Sequence, residues 1–346
     1  MIFRDLNPWD FEQKMLVGLV VLYNCLAFGG QTLVGLVADR TGAYRAVGVL
    51  GALLAAIALL VSPHAVVAGI VIVGIGNALF HVGAGALVLR ASGDRATESG
   101  VFVGPGAIGL ATGILIGTTQ LEARGVIVAL LVLAAPFMTV SARAISRVRS
   151  QLAVPRAGLL VLGIVCASCL LGSVTVRSLV GGTIAGSWRG VSTEVLAALA
   201  VAACAGKMLG GFVSDRYGWI PTSVLALLLS TPLIVFAVDT AAGAIVGMLL
   251  FQMTMPVTLK AMHHVLPQRP GLAFGIPCAA LVVGALPGLL GYADWMGSWV
   301  AVLSLLLLSA AMIVGGLGLL ERVGVSCGPL RRARSPRASL SRSVPS

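Results

Sequence analysis

GLVADRTGAYR, residues 35–45, and GFVSDRYG, residues 211–218, are two copies of one loop. They lie 176 residues apart (211 − 35), and Gly35, Asp39, Arg40 and Gly42 of the first fall on Gly211, Asp215, Arg216 and Gly218 of the second. Each copy ends an apolar run and enters a short polar turn. A helix that stops abruptly favours glycine just past its end, and Asp and Arg at that point can cap or pair with neighbouring helix ends. The same offset reaches beyond the loops. Gln31 projects onto Lys207, Arg45 onto Pro221 and, with one residue of slip, Gly109 and Gly113 onto Gly284 and Gly288. Similarity of this extent predicts two related halves, as in transporters built from parallel repeats.

Outside the loops the chain is overwhelmingly apolar. Of 346 residues, 58% are hydrophobic and 10% charged, against about 25% charged in a soluble domain. Mean hydropathy is +1.03. Apolar runs recur at a length near the roughly 20 residues that cross a bilayer core. They predict an all-α, polytopic membrane protein with lipid as its solvent. The runs fall near 15–38, 46–62, 65–89, 100–119 and 125–142, then, after the basic stretch RAISRVRSQLAVPR, near 157–183, 194–213, 221–238, 241–259, 271–292 and 298–320. That is eleven spans. They divide the chain into a five-helix half-bundle (1–142), a basic linker (143–156), a six-helix half-bundle (157–320) and a disordered basic tail (321–346).

The net charge of +11 follows loops rather than one face, which argues against nucleic acid as a partner. Arg40, Arg45, Arg90, Arg95, Arg216, Lys260, Arg269 and Arg322, with the arginines of linker and tail, lie on one side; Arg4, Lys14, Arg124 and Arg189 lie on the other. By the positive-inside rule the linker and C-terminus are cytoplasmic, in a multi-pass protein of the cell membrane. Five of the six cysteines sit in apolar runs as small hydrophobes, so neither a disulfide framework nor a metal site is expected. His263 and His264 are adjacent in a loop without acidic or thiol companions and make no metal site.

The first loop resembles the signature between the second and third helices of the major facilitator superfamily, and the second copy resembles its mate between the eighth and ninth. GVFVGPGAIGLATG, residues 100–113, is similar to the fifth-helix motif of the drug/proton antiporters within that superfamily. There Pro105 beside Gly104 can kink the helix, and Gly109 and Gly113 form a smooth packing ridge. LFHVGAGAL around His81, VTVRSLVGG around Arg177 and PVTLKAMHHVLPQRPGLAFG from Pro256 resemble the fosmidomycin-resistance-type branch. The resemblance implies two pseudo-symmetric helical bundles working by alternating access as a monomer. It also implies efflux of a small solute or drug, coupled to protons as in an antiporter, with drug resistance as the associated phenotype. Under that frame the chain shows one helix before the first signature where the family has two. The expectation is that family helix 1 is missing, by truncation or in a true eleven-helix protein.

Polar groups in hydrocarbon are costly and face a cavity or a partner. The candidates for solute binding or coupling are Asn24, Gln31, Asn77, His81, Arg177, Lys207 and Gln252. Acidic residues fall only in loops, termini or helix ends, which leaves Arg177 and Lys207 as buried cations. Two compatible readings account for them. An anionic solute would suit the planar fork of Arg and the point charge of Lys; alternatively the resemblance implies an acidic residue on the missing helix. His81 is either a proton relay or a neutral interhelical bridge. An enzyme is not expected, because the spans lack clustered carboxylates, metal-spaced histidines or a nucleophile beside a base. No cofactor is expected either: AGKML around Lys207 has no Ser or Thr after the lysine and lies inside a helix, unlike a phosphate loop. A non-transporting receptor or scaffold is the rival class.

Overall fold

The computed structural model describes residues 8–119, 121–141, 157–187, 192–292, 296, 298–325 and 327–329. Every regular element among them is helical. In chain order these are α1 (Pro8–Asn24), a π-helical segment (Cys25–Gly29), α2 (Gln31–Thr41), α3 (Tyr44–Val61), α4 (Val66–Ala91), α5 (Thr97–Val103), α6 (Pro105–Thr119) and α7 (Arg124–Ser141). The second half contributes α8 (Ala157–Ser187), α9 (Thr193–Tyr217), α10 (Trp219–Phe236), α11 (Ala241–Gln252), α12 (Met255–Val265), α13 (Pro270–Leu289) and α14 (Trp299–Arg322).

Among the described residues ten rods are long and apolar enough to cross a membrane. The eleventh expected run corresponds to α7. Three rods are interrupted where the sequence supplies a reason. The π segment joins α1 to α2. Pro105, with no backbone N–H, opens α6 directly after Gly104. A two-residue step at Met253 and Thr254 splits the span of residues 241–265 into α11 and α12. Linker residues 143–156 and tail residues 330–346 lie outside the described residues. The chain just beyond α14 folds back: the Cys327 carbonyl accepts the N–H of Trp219 at 2.7 Å. Cys327 is buried, which pushes its thiol up to about 12.

Small residues allow the helices to meet closely, as lipid-embedded packing requires. A Cβ on Gly51 would lie 2.2 Å from the Phe80 nitrogen, and one on Gly83 would lie 2.4 Å from the Gly48 nitrogen, so α3 and α4 are in backbone contact. The larger side chains gather in the second half, where Leu170, Trp219, Leu227, Met262, Leu306, Ile313 and Leu317 form one core. A smaller cluster joins the halves. In it Leu89 of α4 packs with Met255, Leu259, Phe274 and Cys278, against Phe28, Phe102 and Val103.

The glycine ridge on α6 is only partly a packing surface. Gly104 is packed: a Cβ there would lie 3.0 Å from Met208 Cγ. Gly109 and Gly113 face open space, contrary to the expected ridge contact. Their repeat mates behave differently, because a Cβ on Gly284 would lie 2.1 Å from the Thr175 carbonyl oxygen of α8 and one on Gly288 would lie 3.3 Å from the Gly182 carbonyl carbon. The physical reason is the partner: among the described residues no helix in the first half occupies the place that α8 takes in the second.

Candidate functional site

The two loop aspartates perform the same task on opposite halves. Asp39, in the last turn of α2, accepts the Gly271 and Leu272 N–H groups at 2.8 Å each, capping the start of α13. Asp215, in the last turn of α9, accepts Ala96 N–H at 2.8 Å, Thr97 N–H at 2.9 Å and the Thr97 hydroxyl at 2.6 Å, capping the start of α5. A helix N-terminus carries unsatisfied N–H groups and partial positive charge, so a carboxylate is its natural cap. Each aspartate also takes a bond from the first residue of the helix that follows its loop. Tyr44 donates its hydroxyl to Asp39 at 2.9 Å, and Trp219 donates its indole N–H to Asp215 at 3.4 Å. The glycines turn the chain: Gly42 has φ +68° and Gly218 φ +103°, a region other residues avoid. Arg40 is exposed, and Arg216 lies over the Tyr217 ring. Arg45 lies within α3, and Pro221 stands in its place within α10.

Close backbone approach supports both caps in the same way. A Cβ on Gly35 would lie 2.5 Å from the Gly271 carbonyl oxygen, and one on Gly211 would lie 2.7 Å from Thr97 Cα. One turn further in, Gly275 abuts the carbonyl of Gln31 and Gly100 that of Lys207, at 2.4 and 2.3 Å from a Cβ. Gln31 and Lys207 are repeat mates, so both crossings have the same construction. A leucine at Gly100 would force α5 off α9. Gly100→Leu is expected to cost about 3 kcal/mol of stability, the upper range for overpacking, measured as a drop in detergent-phase melting temperature.

Above the α2–α13 crossing lies a polar node. The carbonyl of Ala27, in the π segment, accepts both Gln31 Nε2 at 2.7 Å and Asn77 Nδ2 at 3.3 Å. Gln31 is fully buried, and its Oε1 has no hydrogen-bond partner. Single π turns in helices recur at functional sites because they free a carbonyl for such contacts. One turn along α4 from Asn77, His81 sits among Phe80, Phe102 and Phe274, stacked on the last at 6.5 Å and edge-on to the others. Gln31 and Asn77 thus share one carbonyl with His81 one turn away, while Lys207 meets Gly100 at the α5–α9 crossing.

Three candidates lie elsewhere. Arg177 is 6% exposed and reaches from α8 to α12. It donates to the Ser173 carbonyl at 3.3 Å, to Thr258 Oγ1 at 3.2 Å and to the Thr254 hydroxyl. It shares none of these partners with Lys207, and no carboxylate pairs with either cation among the described residues. Asn24 bonds its own helix at Val20, and Gln252 bonds its own helix at Met248 Sδ, 3.6 Å away. Lys260, expected in a loop, is a correction: it lies inside α12 and is fully buried, as the second-half span continues to Val265. His263 and His264 belong to the same helix for the same reason. Reading the polar run KAMHH as a loop hid them.

The geometry defines a two-half helical bundle with reciprocal caps. No family model matches the chain, and no curated protein matches it in sequence. Solved structures do match. The fucose:proton symporter FucP of E. coli superposes with a TM-score of 0.58 at 15% identity, over 89% of this chain and 91% of that one. FucP in the outward conformation gives 0.58 at 15% identity over 92% and 91%. The human organic anion transporter MFSD10 gives 0.57 at 13% identity over 88% and 83%. The chain therefore has the major facilitator fold, with no specific support for the fosmidomycin-resistance branch.

Proposed function

We propose that this chain is a secondary active transporter that moves a small anionic solute by alternating access, coupled to protons and directed outward. The observation that carries the reading is the reciprocal pair of caps. Asp39 and Asp215 each tie one half to a helix start of the other, so the loop face can open only if both sets of bonds break. Rocking of two halves about a central site requires a break of this kind. The loop charges orient this face to the cytoplasm.

The anionic character rests on Arg177 and Lys207. A guanidinium has five N–H donors, and the bonds of Arg177 to Ser173, Thr254 and Thr258 leave donors over for a carboxylate or phosphonate. Lys207 adds a second positive charge within a span, and His81 supplies a side-chain type able to carry a proton. The proton and anion chemistry named for FucP and MFSD10 supports both elements of the reading. The resemblance to drug/proton antiporters supports the outward direction.

Purified protein in liposomes, given an imposed pH gradient and a panel of radiolabelled organic carboxylates, phosphonates and neutral sugars, is the test. Saturable flux of an anion that collapses with a protonophore is expected. Binding without translocation would support a receptor or scaffold with a transporter fold instead, and flux confined to sugars would remove the anionic assignment.

A further inference from the structure

Lys260 lies outside the functions considered so far, yet it is among the largest fully buried side chains of the protein. Its ammonium donates to the Leu89 carbonyl at 3.1 Å and to Ser92 Oγ at 2.9 Å, and it lies 3.2 Å from His263 Nδ1. Leu89 belongs to the last turn of α4, and Ser92 is the residue that follows the helix. The last carbonyls of a helix lack intrahelical partners and carry partial negative charge. A cation there is favourable, as a carboxylate is at the other end. Lys260 comes from α12, in the other half of the molecule.

We infer that Lys260 is a third latch of the loop face, a cationic cap on the C-terminus of α4 that forms when the halves close and is lost when they part. Three features of the geometry support it. The contact crosses between halves, as the two aspartate caps do, and it lies beside one of them, because Ala96 and Thr97, capped by Asp215, follow Ser92 closely. The ammonium is fully buried and hydrogen-bonded to no carboxylate, so its satisfaction depends on the α4 carbonyl, the hydroxyl and the imidazole. A buried charge stripped of its partners is strongly unfavourable. Separation of α4 from α12 must therefore admit water to Lys260, and the latch is either dry and whole or wet and broken.

The latch also breaks the symmetry of the molecule. The repeat offset places Lys260 on Ala84 (260 − 176), a buried residue that cannot cap anything. The aspartate caps come as a matched pair, whereas the lysine cap exists on one side only. Opening this face therefore breaks two equivalent contacts and one unmatched one. The titratable groups set beside it by geometry are His263 on its own helix at 3.2 Å and its neighbour His264, which faces Asp94 at 3.8 Å; Asp215 caps the adjacent start of α5.

This inference rests on the reading of the molecule as two halves that part on the loop face, so the experiment reads accessibility rather than flux. Cys278 is 5% exposed and lies in the cluster that joins the halves, against which Phe28 and Phe102 pack. Its rate of maleimide labelling in nanodiscs, quantified on its own peptide by mass spectrometry, reports opening. Lys260→Met keeps the bulk and removes the cap, and is expected to raise the rate about tenfold, the scale of a favourable buried helix-end charge. Lys260→Arg should stay near wild type. Asp215→Ala is the benchmark. If it raises labelling and Lys260→Met does not, the lysine latch is overturned while the two-half reading stands. If neither raises it, the two-half reading fails and the latch with it. Equal labelling of the Arg and Met variants would also overturn the inference, since bulk rather than charge would then matter. Should Lys260→Met fail to accumulate, Ser92→Ala decides: removing one acceptor should raise labelling severalfold, and an unchanged rate refutes the latch.

Discussion

Asp215→Ala is expected to open the loop face and to reduce solute flux by more than tenfold. The carboxylate is 8% exposed and accepts two backbone N–H groups and a hydroxyl at the start of α5, with Trp219 as a fourth donor. Bonds to a charged acceptor contribute about 1.5 to 3 kcal/mol each. Water repairs most of the loss once the face opens. A net shift of about 3 kcal/mol against the closed state is a reasonable scale, roughly a hundredfold in the equilibrium. A transporter held open on one face cannot return, so the cycle stalls although each half remains folded. Labelling of Cys278 should rise as flux falls. Asp39→Ala should act in the same direction but less strongly, because Asp39 is half-buried and takes three hydrogen bonds, from Gly271, Leu272 and Tyr44, against four for Asp215. Normal flux in both variants would remove the caps from the transport cycle.

The fold was legible because its determinants are periodic and local. Apolar runs separated by short polar turns, most of them bearing Arg, Gly or Asp, mark the rods, and the loop spacing sets the repeat. The caps were legible in part: Asp and Gly at a helix end suggest capping, but which helix start they would reach depends on the packing of rods far apart in sequence. The polar node at Ala27 was only half visible. Gln31 and Asn77 stand out as polar groups in apolar runs, whereas the carbonyl they share is exposed by a π turn that has no sequence signature. Lys260 departs from the loop expectation for a related reason. A lysine and two histidines near a proline look like a loop in any window, and only the neighbouring helix end makes burial of an ammonium tolerable. The open face at Gly109 and Gly113 differs again, since a glycine ridge predicts close approach but not whether a partner is there.

Arg177→Gln tests the other large expectation, loss of transport without loss of fold. The guanidinium stitches α8 to α12 through Thr254 and Thr258, so a purely structural role would also be consistent with its burial. The two roles separate experimentally. Glutamine retains one donor group for the threonines but no charge, and anion flux in proteoliposomes is expected to fall at least a hundredfold, the scale of a lost charge-assisted contact of about 3 kcal/mol. Arg177→Lys keeps the charge without the planar fork and should retain a minor fraction of flux with weaker solute affinity. Replacing Thr254 and Thr258 together by valine removes the stitch and leaves the charge. If Arg177 acts on the solute, that double variant loses melting temperature more than flux. If Arg177 is only a tie between helices, the double variant loses as much flux as Arg177→Gln, and the anionic reading then rests on Lys207 alone.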